Sequence, residues 1–267
     1  MKFIGIIPAR YASTRFPGKP LAMLGGKIVI QRVYEQVVSV LGEAYVATDD
    51  ERIFQAVEAF GGKAIMTRND HKSGTDRIEE AAGILEERGE WKEESEKRRE
   101  ERGEWKEDVI IINVQGDEPF IQKSQLETVK ALFDDPQVQI GTLGKPFESM
   151  EAVENPNSPK IVCDVNSYAM YFSRSIIPYI RGKEQLTWIH HYPFLKHIGL
   201  YAYRRKVLAE ITKLPQSSLE IAESLEQLRW LQNGYRIKVG ITHVETVGID
   251  TPEDLQRAEA FLKNLNE

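Results

Sequence analysis

The sequence predicts an α/β fold built on a buried, mostly parallel sheet. Short apolar runs at 4–8, 44–48, 63–67 and 109–114 alternate with helical patterns at 28–41, 52–60, 77–85 and 124–133. Those runs are nearly continuous rather than alternating, as expected of strands covered on both faces. The 267 residues are 41 % hydrophobic, enough for a substantial core in one α/β domain or two joined lobes.

The elements follow in order. Met1 to Ile7 is apolar, but Pro8 and Arg10 end the run too early for a signal peptide, so it reads as a first buried strand. The pairs Gly25-Gly26 and Gly61-Gly62 read as turns between the next elements. The second half changes character, with strands at 138–146, 161–165, 168–172 and 198–203 and a hairpin turn at 164–168. A helix is predicted over 218–232, stopped by Asn233-Gly234. A last helix covers 252–264: Thr251 suits its N-cap, Pro252 its first position and Asp254 the capping-box position.

Residues 86–108 stand apart. An eight-residue unit beginning at Glu86 recurs at Glu100, and 18 of the 23 residues are charged, 11 acidic and seven basic. The period of 14 is close to four helical turns, so both copies would present the same face. The segment reads as a solvated helical insertion with Glu/Lys/Arg pairs along it; a partner-binding arm is the sharper alternative.

Charge and composition exclude several classes. Formal net charge is −6, which argues against a general nucleic-acid surface. No apolar run is long enough for a membrane span. The single cysteine, Cys163, excludes an internal disulfide and any multi-cysteine zinc site, which fits a cytoplasmic protein. Cys163 sits in the apolar run at 160–163 and reads as a core filler. His190-His191 lack the helical i, i+4 spacing of a zinc pair and read as loop residues.

The loop after the first strand is the most informative segment. Arg10, Arg15 and Lys19, with the hydroxyls of Ser13 and Thr14, directly follow a buried strand. In parallel sheets ligands bind beyond the carboxyl ends of strands. Arg forks and a Lys point charge match triphosphate oxygens, and a leaving pyrophosphate needs the same neutralisation. The P-loop pattern is absent, because Lys19 is followed by Pro20, and no G-x-G-x-x-G follows this strand.

Two acids fall where a metal would be useful. The run 109–114 leads into Gln115-Gly116-Asp117-Glu118-Pro119, placing Asp117 at a strand's carboxyl end. Magnesium takes one or two carboxylates together with phosphate oxygens and water. Asp250 closes Val247-Gly248-Ile249-Asp250, and since Thr251 suits the cap, Asp250 is left available. A turn role for Asp117 and a capping role for Asp250 are the alternatives.

With these residues in hand, the chain resembles the CMP-KDO synthetase family, the 3-deoxy-manno-octulosonate cytidylyltransferases. The matching segments are 6–20, 46–49, 66–77, 113–119, 171–178, 197–204, 224–229 and 248–255, in order along nearly the whole chain. They include Arg15-Phe16-Pro17-Gly18-Lys19-Pro20, Ser73-Gly74-Thr75-Asp76-Arg77, Gln115-Gly116-Asp117-Glu118-Pro119 and Gly248-Ile249-Asp250-Thr251-Pro252. The resemblance implies a nucleotide-diphospho-sugar-transferase-like three-layer sandwich, with a mixed, mostly parallel central sheet and a small dimerisation element. The whole of 1–267 would be one cytidylyltransferase domain, with the insertion at about 86–108 and a dimerisation and sugar-pocket element at about 155–204. The insertion is longer than the family usually carries there, but it lies between motifs.

By the same resemblance, Arg10, Ser13 and Lys19 belong to the triphosphate loop, with Arg15 close by. Ser73, Gly74, Arg77 and Gln115 fall on the nucleotide side. Asp117 and Asp250 match magnesium-binding acids. Arg174, His197, Tyr201, Glu226 and Gln227 match the sugar-acid pocket, with Arg181 a weaker addition. The expected activity is CMP transfer from CTP to KDO by a cytoplasmic homodimer, with Mg2+ as cofactor, for lipopolysaccharide biosynthesis. A carboxylate on the sugar makes Arg174 a natural partner. The alternatives are another acid sugar, such as 8-amino-KDO or a sialic acid, or a non-catalytic nucleotide-binding scaffold.

Overall fold

Ile4, Ile6 and Ile7 are fully buried, each stabilising the fold by roughly 1.5–3 kcal/mol. They belong to β1 (Lys2–Ala9) in the computed structural model, which describes residues 1–90, 108–245 and 248–265. The chain divides into two compact units, the first from 1–123, 204–212 and 246–267, the second from 124–203 and 213–245.

In the first unit, β1 is followed by the ribbon β2 (Met23–Leu24) and β3 (Lys27–Ile28), turned by Gly25 and Gly26, both at positive φ as a tight hairpin requires. Then come α1 (Val29–Leu41), β4 (Ala44–Thr48), α2 (Glu51–Ala59), β5 (Ala64–Met66), α3 (Gly74–Glu87) and β6 (Val109–Asn113). The strands pair in the order β6-β1-β4-β5, all parallel, as the continuous apolar runs predict. Helices α1 and α3 pack on β1 and β4. A Cβ at Gly5 would stand 2.4 Å from Val37 Cγ1, so glycine lets α1 lie close on the sheet.

The second unit carries most of α4 (Lys123–Ala131), then β7 (Ile140–Pro146), α5 (Met150–Glu154), β8 (Lys160–Cys163), β9 (Ala169–Ser173) and β10 (Leu195–Arg204). After α6 (Arg205–Ile211), which belongs to the first unit, it resumes with α7 (Ser218–Glu223), α8 (Gln227–Gln232) and β11 (Ile237–Ile241). Its strands are mixed: β7 pairs in parallel with β11 and antiparallel with β10, while β8 pairs antiparallel with β10 and β9. The predicted hairpin joins β8 to β9, with Asp164 and Tyr168 bonded backbone to backbone at 2.8 Å and Ser167 at φ 61°.

The single helix predicted over 218–232 is instead two. Ser224 takes φ 50° and breaks it, and the carbonyls of Glu223 and Ser224 accept from the Arg174 guanidinium at 2.7 and 3.3 Å. The Arg174 side chain, just after β9, thus satisfies carbonyls that a continuing helix would have paired internally.

Helix α9 (Pro252–Leu265) returns to the first unit with the predicted cap. Thr251 Oγ1 accepts from Asp254 N at 3.2 Å, and Asp254 Oδ2 accepts from Thr251 N at 2.9 Å. Ala258 and Ile249 are fully buried with Leu24 and Val29, and Leu255 and Leu262 pack on that cluster. Helix α3 ends at Glu87, with Gly89 at φ 78°; the rest of the duplicated charged segment, 91–107, lies outside the described residues. Among the described residues, no helix is long and apolar enough to cross a membrane.

Candidate active site

The loop after β1 closes on itself before it meets any ligand. Gly18, at φ 73°, donates its N–H to the Tyr11 carbonyl at 2.9 Å. A side chain here would be strained and would press on the Tyr11 ring, 3.0 Å from the added Cβ. The Arg52 guanidinium lies over that ring, 3.3 Å from its centroid. Lys19 then opens a 3-10 turn, Lys19–Leu21, with Pro20 buried behind it.

The β6 loop approaches from alongside. Gly116 lies so close to β1 that a Cβ would stand 2.8 Å from the Pro8 carbonyl oxygen. The Ile249 N–H donates to the Asp117 carbonyl at 2.9 Å, so the buried Ile249 delivers Asp250 to the side of Asp117. Lys19 Nζ lies 2.5 Å from Asp117 Oδ2 and 3.2 Å from Asp250 Oδ1. Arg15 Nη2 takes the other Asp250 oxygen at 3.2 Å. One ammonium thus bridges two carboxylates that are 133 positions apart in sequence (250 − 117).

These groups line a cavity of about 440 Å³ that also takes in Arg10, Ser13, Ser73, Gly74, Arg77 and Gln115. That volume lies in the usual range for a small-molecule site. All ten residues predicted for the nucleotide and metal side are therefore in its wall. The loops after β1, β5 and β6 contribute to it, at the carboxyl ends of three parallel strands.

The roles within the wall differ. Ser73 caps α3, accepting from Asp76 N at 3.1 Å, and so aims the helix N-terminus at the cavity, a favourable place for an anion. Arg77 is only 5 % exposed and points into the protein, with Nη1 on Thr67 Oγ1 at 2.6 Å and Nη2 on Asp49 Oδ2 at 3.0 Å. It braces the β5 loop more than it faces ligand. Gln115 Nε2 reaches Asn113 Oδ1 at 3.4 Å.

Sequence reasoning missed two wall residues of this loop, His71 and Lys72. His71 is hydrogen-bonded to the Glu80 carboxylate, which also accepts from the Arg68 N–H at 3.1 Å. Their position just before a helix cap was the available signal.

The donor chemistry of the acids suits a hard divalent cation. Two carboxylates converge on one point, and a cationic group already stands there. Among the described residues no group of three or more His, Cys, Asp or Glu side chains could hold a metal. A two-carboxylate site completed by phosphate oxygens and water is the arrangement magnesium commonly takes.

The predicted sugar-side residues lie in the second unit. Arg174 follows β9, and its Nε, Nη1 and Nη2 donate to the carbonyls of Glu223, Pro156 and Ser224 at 2.7, 3.0 and 3.3 Å. Glu223, which the sequence did not single out, accepts from Arg174 N at 2.9 Å and Ser173 Oγ at 2.6 Å. His197 and Tyr201 lie on β10 with ring centroids 5.3 Å apart, and Trp230 meets Tyr201 edge-on at 5.2 Å.

Burial alone pushes the His197 imidazole down to about 4, so the ring is neutral at neutral pH. Burial also carries the Tyr201 phenol well above its ordinary value, with Tyr203 and Glu226 adding to the shift. Glu226 Oε1 accepts from Arg229 Nη2 at 2.8 Å. Gln227, 5 % exposed, is no part of a solvated helix face, and its Nε2 has no hydrogen-bond partner among the described residues. Arg181 is exposed after β9, and among the described residues no hydrogen bond or ion pair joins it to the other five.

The chain belongs to the cytidylyltransferase family, whose model matches residues 4–237. Within that family its relatives are 3-deoxy-manno-octulosonate cytidylyltransferases. It is 64 % identical to the one from Phocaeicola vulgatus over 266 residues, 98 % of each protein. The Porphyromonas gingivalis protein of the same name is 53 % identical over 264 residues, 98 % of this chain and 96 % of that one.

A solved structure of CMP:2-keto-3-deoxy-manno-octonic acid synthetase complexed with CTP matches with a TM-score of 0.83 and 42 % identity, covering 99 % of this chain and 100 % of that one. A cytidylyltransferase structure from Leptospira borgpetersenii, 15 % identical with a TM-score of 0.58 over 99 % of this chain and 87 % of that one, shares the fold alone. The fold is therefore the nucleotide-diphospho-sugar-transferase-like α/β class that the sequence resemblance implies.

Proposed function

We propose that this chain activates KDO, transferring CMP from CTP to the sugar's anomeric hydroxyl with release of pyrophosphate. The observation that carries this reading is the meeting of Lys19 with Asp117 and Asp250 in a cation-lined cavity at the carboxyl ends of β1 and β6. The sugar oxygen forms a bond to the α-phosphorus of CTP. The bond from that phosphorus to the bridging oxygen of the β-phosphate breaks, pyrophosphate keeps the electron pair, and the hydroxyl proton passes to solvent.

Positioning and charge carry most of such a transfer. Arg10, Arg15 and Lys19 neutralise the charge that grows on the departing pyrophosphate. Ser13 in the β1 loop and the Gly74 amide at the start of α3 supply further donors, while the Ser73 N–H is taken by Asp76 Oδ2 at 3.2 Å. Arg77 keeps the β5 loop in place from behind, and Gln115 lies on the nucleotide side. Asp117 and Asp250 would hold Mg2+, which when bound lowers the hydroxyl's pKa and offsets phosphate charge.

The second unit takes the sugar acid. Three of the five Arg174 N–H groups are held by carbonyls, which leaves two for a carboxylate. His197, Tyr201, Glu226 and the Gln227 Nε2, without a partner among the described residues, suit a polyhydroxylated ligand. A cytoplasmic homodimer acting in lipopolysaccharide biosynthesis completes the proposal. Exposed Val165, Met170, Tyr179, Leu186 and Ile221 on the second unit support an interface between copies.

The test is pyrophosphate release from CTP and Mg2+ with KDO, 8-amino-KDO and sialic acid in parallel. Release that requires KDO is the expected result. Release with only another acid sugar moves the substrate and keeps the chemistry. No release from folded, CTP-binding protein overturns the reading.

A further inference from the structure

We propose that the Lys19 ammonium stands in for the divalent cation in the nucleotide-free pocket, so that cation and triphosphate enter together rather than cation first. The inference rests on the reading of Asp117 and Asp250 as metal acids and adds an order to it.

The contacts define the device. Lys19 Nζ takes Asp117 Oδ2 and Asp250 Oδ1, and Arg15 takes Asp250 Oδ2. Three of the four oxygens of these two carboxylates thus hold a cationic side chain, and the two positive charges cancel the two negative ones. A lone divalent cation meets a neutral cluster. It has to shed tightly held water and displace an ammonium that is only 12 % exposed.

A triphosphate changes the balance. It brings roughly four negative charges, so Lys19 and Arg15 gain new partners as the carboxylates are released to the metal. The motion this asks of Lys19 is confined to its side chain. Its backbone is fixed by the Gly18 N–H on Tyr11, by the Ala22 N–H on the Lys19 carbonyl at 3.1 Å, and by buried Pro20. A four-carbon stem on a rigid turn can move its charge without unfolding the loop.

The experiment is Mn2+ binding to the full-length, nucleotide-free chain, followed by electron paramagnetic resonance of the unbound ion. Lys19→Met removes the stand-in. Lys72→Met removes an equal charge from the same wall without touching either carboxylate, and Lys19→Gln guards against a folding failure of the first variant. Lys19→Met should bind Mn2+ about tenfold more tightly than the unsubstituted chain, and Lys72→Met less than about threefold more tightly.

Adding Asp117→Asn to Lys19→Met should abolish the gain. A Lys19 variant that binds Mn2+ no better than Lys72→Met overturns the inference. The underlying reading has its own readout: with a CTP analogue carrying a methylene between the α- and β-phosphorus, Mn2+ binding should weaken on Asp117→Asn. If it does not, the metal assignment itself fails, whatever the Lys19 variants do.

Discussion

Glu223 and Arg174 hold each other twice: the Glu223 carboxylate accepts the Arg174 backbone N–H at 2.9 Å, and the Glu223 carbonyl accepts the Arg174 Nε–H at 2.7 Å. The break between α7 and α8 is what turns that carbonyl toward the guanidinium. Glu223→Ala removes the carboxylate from both Arg174 N and Ser173 Oγ. Stability should fall by about 2 kcal/mol in denaturant titration, in line with lost hydrogen bonds to a charged acceptor. If Arg174 serves the sugar carboxylate, the Michaelis constant for KDO should rise several-fold while that for CTP stays unchanged. An equal rise for both substrates would contradict this positioning role.

Asp117 carries the sharpest catalytic expectation. Asp117→Asn keeps the size of the side chain and removes its charge, so turnover should drop by about two to four orders of magnitude with the melting temperature nearly unchanged. Near-normal turnover would remove Asp117 from the chemistry. Lys19→Ala should depress kcat/KM for CTP more than for the sugar, and unchanged CTP kinetics would speak against a triphosphate role.

The buried His197 ring predicts a pH dependence of stability. Its native value of about 4 lies below the ordinary 6.5. Between those values the unfolded chain binds a proton that the native chain does not. Stability contributed by this site is therefore complete above about pH 6.5 and falls as pH drops, by about 3 kcal/mol once pH nears 4. Imidazole carbon shifts should show a neutral ring at about pH 5.5. A midpoint near 6.5 would show that the site is wetter than its packing against Phe172 and Tyr201 implies.

Cys163 should be a poor nucleophile. Burial, with a smaller push from Asp164, raises its thiol to about 11. At about pH 8 the thiolate fraction is then roughly a hundredfold below that of an ordinary cysteine, and alkylation by iodoacetamide should slow in proportion. Labelling at the free-cysteine rate would overturn the filler reading taken from the run 160–163.

The local signals in the sequence were read correctly because they are local. Thr251 and Asp254 cap α9 as their spacing implies, and that leaves the Asp250 carboxylate to face Lys19. The four apolar runs of the first half became four parallel strands, since continuous hydrophobicity reports burial on both faces. Long-range relationships stayed hidden. The helix break at Ser224 answers Arg174, 50 positions earlier (224 − 174), and leaves no trace in the periodicity around it.

Arg77 is a similar case. The resemblance implies that it falls on the nucleotide side; it lines the cavity, and its guanidinium bonds inward to Asp49 and Thr67. A charged residue's direction depends on partners from another strand, and spacing along one segment does not encode it. Lys160 sits fully buried in an apolar run and satisfies its ammonium on the carbonyls of Asn155 and Arg174. A pattern count registers only its charge.

The order of segments in the first unit has a consequence for a chain still being made. That unit is stitched from 1–123, 204–212 and 246–267, and Asp250 with α9 arrives in the last of them. A ribosome delivers the amino end first. Lys19 and Asp117 are therefore synthesised well before Asp250. Asp250 joins them when the last segment packs Ile249 and Ala258 with Leu24 and Val29. The Lys19 bridge between two carboxylates can close only after position 250 has been made.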